Sequence, residues 1–140
     1  MDIKIKLVEG GKLPEYKTLG SVGADCYARL ANPVTIAIGE HAMIPLGFCV
    51  EIPEGYEMQI RGRSGLMSKG VVGALGTIDT DYRGEVKAII FNHSYNFITI
   101  NDGDRIGQLV ISPVVKAEWN VCKELSDTER NNNGFGSTGI

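Results

Sequence analysis

The sequence predicts an all-β domain of the sandwich, jelly-roll or barrel kind, and two observations predict it. Eighteen glycines and five prolines cut the chain into short pieces rich in β-branched and aromatic residues. Hardly any window of twelve residues carries apolar side chains at helical spacing, and turn signals recur about every ten residues. Architectures of that rhythm protect their strand edges by packing or by closure.

The first strand is expected over residues 3–7, where Met1-Asp2-Ile3-Lys4-Ile5-Lys6-Leu7 alternates polar with apolar. That alternation, without a continuous apolar stretch, reads as a strand and not as a secretory leader. Further strands are expected over 24–29, 34–38, 42–52, 56–61, 71–75, 85–92, 97–100, 105–113 and 117–121, each a β-rich run set off by Gly, Pro, Asn or Asp. Residues 64–69 alone suit a helical turn, with Ser64 as its N-cap. After Cys122 the character changes: Leu125, Phe135 and Ile140 are the large apolar residues left among charges, asparagines and glycines. The expected division is a β domain over 1–122 and a flexible C-terminal arm over 123–140.

At 140 residues the chain has the length of one domain and one core. A hydrophobic fraction of 43% and a charged fraction of 22% belong to a soluble globular protein, with no apolar run near the ~20 residues of a membrane span. The cytoplasm is the expected location, with no membrane partner. Cys26, Cys49 and Cys122 are widely spaced and form no Cys-x-x-Cys pair, which suits reduced thiols. With only His41 and His93 besides, a structural zinc site would need ligands from far apart. A net charge of −3 offers no basic surface for a nucleic acid, although a small phosphorylated ligand needs only a few local cations. Arg63 and Arg130 stand out for that reason.

The densest chemistry lies in Gly76-Thr77-Ile78-Asp79-Thr80-Asp81-Tyr82-Arg83-Gly84-Glu85. If this segment is a strand or hairpin arm, Asp79 and Asp81 share one face and Ile78 and Thr80 the other. One carboxylate can then serve as a general base; the competing reading is a polar hairpin tip. In the tail, Gly134-Phe135-Gly136-Ser137-Thr138-Gly139 combines glycines that let amides converge on an anion, hydroxyl donors, and an aromatic able to cover a base.

Three further segments mix glycines with functional groups: Gly23-Ala24-Asp25, Gly62-Arg63-Ser64-Gly65-Leu66 and Gly103-Asp104-Arg105-Ile106-Gly107-Gln108-Leu109. With Gly76 to Glu85 and Arg130 to Gly139 they make five, and in that order the chain resembles the homotrimeric dUTPase family from about Lys4 to Ile140. The resemblance implies a jelly-roll-like, distorted β-barrel subunit of the dUTPase-like or β-clip kind. It also implies a homotrimer with composite active sites, covered by the C-terminal arms.

The family reaction converts dUTP and water to dUMP and pyrophosphate, which limits uracil in DNA and supplies dUMP for dTMP synthesis. By motif position, Asp79 is the expected catalytic group, deprotonating a water that attacks the α-phosphorus. Arg63, Ser64 and Gly65 resemble the phosphate-binding second motif, and Gln108 the α-phosphate contact of the fourth, with Asp104 and Arg105 holding that motif together. Asp25 is expected to meet the waters of a Mg²⁺ held mainly by substrate phosphates. Arg130, Ser137 and Thr138 would grip the γ-phosphate, Phe135 would stack over uracil, and Gly136 between them is a further expected substrate contact. Uracil itself would be read by a hairpin over 71–87, through groups near Gly73, Thr77, Ile78 and Lys87. Tyr82 would stack beneath the deoxyribose and exclude a 2′-hydroxyl.

Two positions depart from the commonest family pattern. Gly73 replaces an asparagine found in some members, so that recognition there falls to backbone. Asn131, Asn132 and Asn133 follow Arg130 where glycine is usual, and asparagine tolerates positive φ. The alternatives are a dCTP deaminase-type homologue, which needs a glutamate near the base, and a dUTPase-like regulatory protein that senses nucleotide and switches a protein partner.

Overall fold

Short β-branched runs become strands because alternate side chains can enter one interior while the others face out. The computed structural model describes residues 1–134. In chain order its elements are β1 (Lys4–Leu7), β2 (Ala24–Tyr27), β3 (Val34–Ile36), β4 (His41–Pro45), β5 (Phe48–Glu51), β6 (Tyr56–Arg61), α1 (Ser64–Met67), β7 (Val71–Gly73), β8 (Gly76–Ile78), β9 (Lys87–Asn92), β10 (Ile98–Ile100) and β11 (Arg105–Pro113). They form four antiparallel sheets in the orders β2-β11-β6-β8, β4-β9-β7, β1-β5 and β10-β3. The sheets wrap one core without closing into a continuous hydrogen-bonded barrel. Phe48, Ile44, Leu46, Met58, Ile60 and Ile90 are its largest fully buried apolar side chains, each stabilising the fold by about 1.5–3 kcal/mol before entropy is subtracted.

The expected strands over 56–61 and 105–113 are present with those bounds, and those over 3–7 and 85–92 are present but start later, at Lys4 and Lys87. The single strand expected over 42–52 is two, because the chain turns at Gly47, whose φ is +78°. A Cβ on Gly11 would lie 1.9 Å from the Gly47 carbonyl oxygen, so two glycines let these segments touch backbone to backbone. The strand expected over 117–121 is absent: β11 ends at Pro113, and residues 115–133 are exposed. Val115, Trp119, Val121 and Leu125 are highly exposed and stand outside the core cluster, and among the described residues no strand pairs with this segment. Ser64 is not the helix cap. It is the first helical residue, and Arg63, extended at φ −95° and ψ 131°, stands at the cap with no side-chain hydrogen bond there. No helix among the described residues is long and apolar enough to cross a membrane.

One irregularity positions the functional face. In β11 the pairing with β2 shifts between Arg105, opposite Tyr27, and Gly107, opposite Cys26. Strict alternation would put Arg105 and Gln108 on opposite faces; the bulge at Ile106–Gly107 turns both to the face that carries Asp25 and Tyr27. Ile106 and Gly107 are both buried as a result.

A second buried feature ties the sheets together. The Asn92 side chain is fully buried; its amide donates to the carbonyls of Ile36 and Asn96 at 2.9 and 2.8 Å, and its oxygen accepts from Ser94 N at 3.0 Å and Ser94 Oγ at 2.6 Å. Asn92→Leu orphans these partners and should lower the unfolding free energy by ~2–4 kcal/mol. Urea denaturation measures this, and a loss below ~0.5 kcal/mol would contradict the network's role. The Cys26 thiol is pushed up to about 12, first by burial and then by the Asp25 charge beside it. It should therefore resist a thiol reagent at pH 8 in the native protein and react once urea unfolds the chain.

Candidate active site

The cradle begins with Asp25 on β2. Its carboxylate is mostly buried, and two guanidinium groups share it: Arg63 Nε lies 3.3 Å from Oδ1, and Arg105 Nη1 donates to Oδ2 at 3.0 Å. Arg63 Nη1 also donates to the Arg105 carbonyl at 2.8 Å. Two cations around one anion leave net positive charge for a further anionic ligand. Gln108 lies opposite Asp25 on one side and Arg61 on the other, and its amide donates to the Gly62 carbonyl at 2.9 Å. A Cβ on Gly23 would approach the Gln108 side-chain oxygen to 2.3 Å, which gives that glycine its function. Thus Asp25, Arg63, Arg105 and Gln108, separated by up to 83 residues of sequence, meet in one place. Beside them a cavity of about 720 Å³ opens against β10, with Arg63, Lys69 and Arg105 in its wall. Because the cap at Arg63 uses no side chain, the Ser64 hydroxyl is not spent on the helix start.

The second group lies at the other end of the same sheet. Asp79, Thr80 and Asp81 follow β8 and share an open cleft of about 440 Å³ with Thr77, Glu57 and Lys116. Asp79 and Asp81 do line one cleft, but by a turn and not by strand alternation: β8 ends at Ile78, and Tyr82 N donates back to the Asp79 carbonyl at 3.2 Å. Arg83 Nη1 donates to the Thr80 carbonyl at 2.6 Å and further stiffens this turn. Tyr82 Oη donates to the Glu85 carbonyl at 3.1 Å, and a Cβ on Gly84 would lie 2.3 Å from that oxygen. The glycine is thus a bed for the phenol, whose residue remains 43% exposed and free to stack.

The segment over 71–87 is not one simple hairpin. β7 pairs with β9, setting Gly73 opposite Ile90, whereas β8 between them leaves to pair with β6. Thr77 and Ile78 therefore sit on one sheet and Gly73 and Lys87 on another. The two sheets meet at Gly73 and Gly62, where a Cβ on Gly73 would come within 2.7 Å of Gly62 Cα. Steric contact with backbone thus explains the glycine.

Arg130 Nε donates to the Asn133 carbonyl at 2.9 Å, so its guanidinium belongs to its own turn and to neither group. Asn131 adopts φ 42°, the left-handed conformation expected of asparagine where a glycine is usual. Phe135, Gly136, Ser137 and Thr138 lie outside the described residues.

The sequence reading assigned no role to Arg29 or to the Glu85 side chain. Arg29 Nε and Nη2 donate to the two Glu85 oxygens at 2.7 and 2.8 Å, and Gly47 N donates to Oε1 at 3.0 Å. Hydrogen bonding to Arg29 holds the Glu85 carboxyl below the ordinary carboxylate range, against the cost of burial. This pair stabilises the fold at neutral pH, and that contribution is lost as pH falls through the lowered value. Charges 56 residues apart carry no sequence signal of pairing.

The family model for dUTPase matches residues 9–139. The chain belongs to the dUTPase family. Among curated relatives, the deoxyuridine 5′-triphosphate nucleotidohydrolase of Bdellovibrio bacteriovorus is 52% identical over 142 residues, covering 98% of this chain and 95% of that protein. That of Ehrlichia canis is 46% identical over 148 residues, covering 99% and 97%. Among solved structures, the Staphylococcus bacteriophage 80alpha dUTPase with dUPNHPP superposes with a TM-score of 0.91 at 29% identity, covering 99% of each chain. It was described in work on phage dUTPases that control transfer of virulence genes by a G protein-like mechanism. Family membership makes the chain a hydrolase of nucleotide metabolism, and the predominantly β, jelly-roll-like fold with an open sheet agrees with the architecture expected from sequence.

Gly23→Ala should displace Gln108 from the Gly62 carbonyl and lower kcat/KM for dUTP by about 10- to 100-fold, the scale of one hydrogen bond to a charged group. The thermal midpoint should move little. Steady-state kinetics beside a melting curve checks both, and unchanged kcat/KM would remove Gln108 from the site.

Proposed function

We propose that this member of the dUTPase family hydrolyses dUTP to dUMP and pyrophosphate at sites each completed by more than one chain. The observation that carries the reading is the distance between the two groups. Thr77 stands opposite Gln59, which sets Asp79 beside Glu57; Arg63 lies past the end of β6, whose residues rise ~3.3 Å each, with its guanidinium on Asp25 in the row of Gln108 and Arg61. Gln108, opposite Arg61, is on the order of 13 Å from the Glu57 row by the same rise. A general base must come within about 3 Å of the proton it takes, directly or through one water. One chain therefore cannot set Asp79 and Gln108 on the same phosphorus, whereas Asp79 of one copy facing Arg63 and Gln108 of another can. The homotrimer expected for the family supplies such copies. The exposed Val115, Trp119, Val121 and Leu125 support it, since a neighbouring chain can cover them.

In this reading Asp79 takes a proton from the attacking water as its oxygen bonds to the α-phosphorus, and pyrophosphate leaves with the electrons of the broken P–O bond. Gln108 orients the α-phosphate, and Arg63, Ser64 and Gly65 neutralise and hold the phosphate chain. Tyr82 receives the deoxyribose. Backbone at Gly73, Ile78 and Lys87, with Thr77 beside it, reads uracil. The arm over 123–140 closes on the product of these contacts, bringing Arg130 and, from the residues beyond 134, Phe135, Gly136, Ser137 and Thr138.

Mg²⁺ is the implied companion. Among the described residues no three His, Cys, Asp or Glu side chains converge as a ligand cage, and both Asp25 oxygens already face guanidinium groups. That donor set fits an ion carried by the substrate's phosphates, with Asp25 meeting its waters. When bound, the ion adds positive charge to the phosphate chain. The deaminase alternative needs a free carboxylate near the base, and Glu85 is committed to Arg29 and Gly47.

Asp79→Asn should reduce pyrophosphate release from dUTP by at least ~10²-fold, the usual worth of a general base. Arg63→Ala should be similarly impaired. Unfolded together and refolded as a mixture, the two inactive variants should regain a substantial fraction of wild-type activity, because mixed trimers contain sites with both residues intact. No recovery from assembled mixed trimers would place each site within one chain.

A further inference from the structure

The turn that carries Asp79 and Tyr82 is an excursion between β8 and β9, and something must hold its returning limb. The backbone does part of this: Val86 N donates to the Phe48 carbonyl and Leu46 N to the Val86 carbonyl, both at 2.9 Å. The first pins the N–H of the Glu85–Val86 peptide, and with it the Glu85 carbonyl in the same plane, and the second holds the next peptide. On the other side the Glu85 side chain is gripped by the two-pronged Arg29 guanidinium and by Gly47 N. Arg29 is itself placed, since its backbone N donates to the Pro45 carbonyl at 2.8 Å and its side chain runs over Gly47, where a Cβ would sit 3.2 Å from Arg29 Cδ. The Glu85 carbonyl, so oriented, accepts the Tyr82 hydroxyl.

We infer that the Arg29–Glu85 ion pair is a positioning device for the sugar-binding face of Tyr82, and thereby a determinant of deoxyribose over ribose. The inference rests on the reading of Tyr82 as the platform beneath the deoxyribose. Both members are largely enclosed, at 30% and 20% side-chain exposure, and the fork geometry fixes angle as well as distance. An exposed single-point pair would hold a side chain loosely; this one leaves Glu85 little freedom. Excluding a 2′-hydroxyl requires a wall that does not yield, because a ring that shifts by a few tenths of an ångström admits the extra oxygen. Freeing the Glu85 side chain leaves this limb held from the Val86 side alone, so that the limb shifts and Tyr82 lifts from Gly84. The binding of a nucleotide common to both sugars then changes less than the discrimination between them.

The test compares wild type with Arg29→Met, Arg29→Lys, Glu85→Gln and, as a reference for loss of the hydroxyl contact, Tyr82→Phe. Two ratios are read: kcat/KM for dUTP against UTP, and the dissociation constants of dUDP against UDP by calorimetry, which need no turnover. Arg29→Met and Glu85→Gln should each lower both ratios by about tenfold, the scale of one lost hydrogen bond. Arg29→Lys, which keeps charge without the fork, should fall between them and wild type. Glu85→Gln is isosteric and keeps an acceptor for Gly47 N, so it decides the matter should Arg29→Met fail to fold. Folded variants that retain both ratios, or lose affinity for the two sugars equally, overturn the inference. If wild type binds dUDP selectively yet releases no pyrophosphate from dUTP, the hydrolytic reading fails alone, and the calorimetric ratios still judge the ion pair. A wild type without preference between dUDP and UDP overturns the inference directly.

Discussion

The register of β11 is the constraint on which the arrangement depends. This strand pairs with β2 on one side and β6 on the other, so Asp25, Gln108 and Arg61 form one row across three strands. A slip of one residue in β11 would send Gln108 into the core and bring Leu109 out, breaking that row. The bulge at Ile106–Gly107 is the local adjustment that lets Arg105 join the same face. A mostly buried carboxylate then finds two guanidinium groups, and the cost of burying its charge is offset by both. Positive charge in excess of one carboxylate is held in place by guanidinium groups already bonded to that carboxylate.

Much of this fold was legible because strand periodicity and glycine punctuation are local signals. The alternation over Lys4–Leu7 and Tyr56–Arg61 and the buried face of Lys87–Asn92 follow from two-residue repeats alone. Where the reading failed, the deciding partner was distant. Ala117 to Val121 has strand composition yet has no pairing strand among the described residues, and propensity without a ladder does not make a strand. The turn at Gly47 interrupts an apolar run because Gly11 approaches it, a contact invisible in sequence. At α1 the hydroxyl of Ser64 suggested a cap, but the extended Arg63 occupies that place.

The candidate site divides in the same way. Motif order pointed to Asp25, Arg63, Asp79, Tyr82 and Gln108, and the structure puts Asp25, Arg63 and Gln108 together at one end of a sheet and Asp79 and Tyr82 in the turn beyond β8. That separation along β6 could not be read from a list of motifs. Nor could the reason for several glycines, which lies in the side chains they make room for: Gln108 over Gly23 and Tyr82 over Gly84. Arg29 and Glu85 were overlooked because an ion pair closed by the fold leaves no repeat or spacing behind.

The contact between Gly62 and Gly73 constrains more than local geometry. With 2.7 Å between a virtual Cβ at Gly73 and the Cα of Gly62, neither residue can gain a side chain unless two sheets move apart. Exchanging Gly73 for asparagine is therefore a change of backbone as well as of side chain. Both positions tolerate only one residue type while the sheets keep this spacing, so change in this part of the molecule has to come through the elements around the contact.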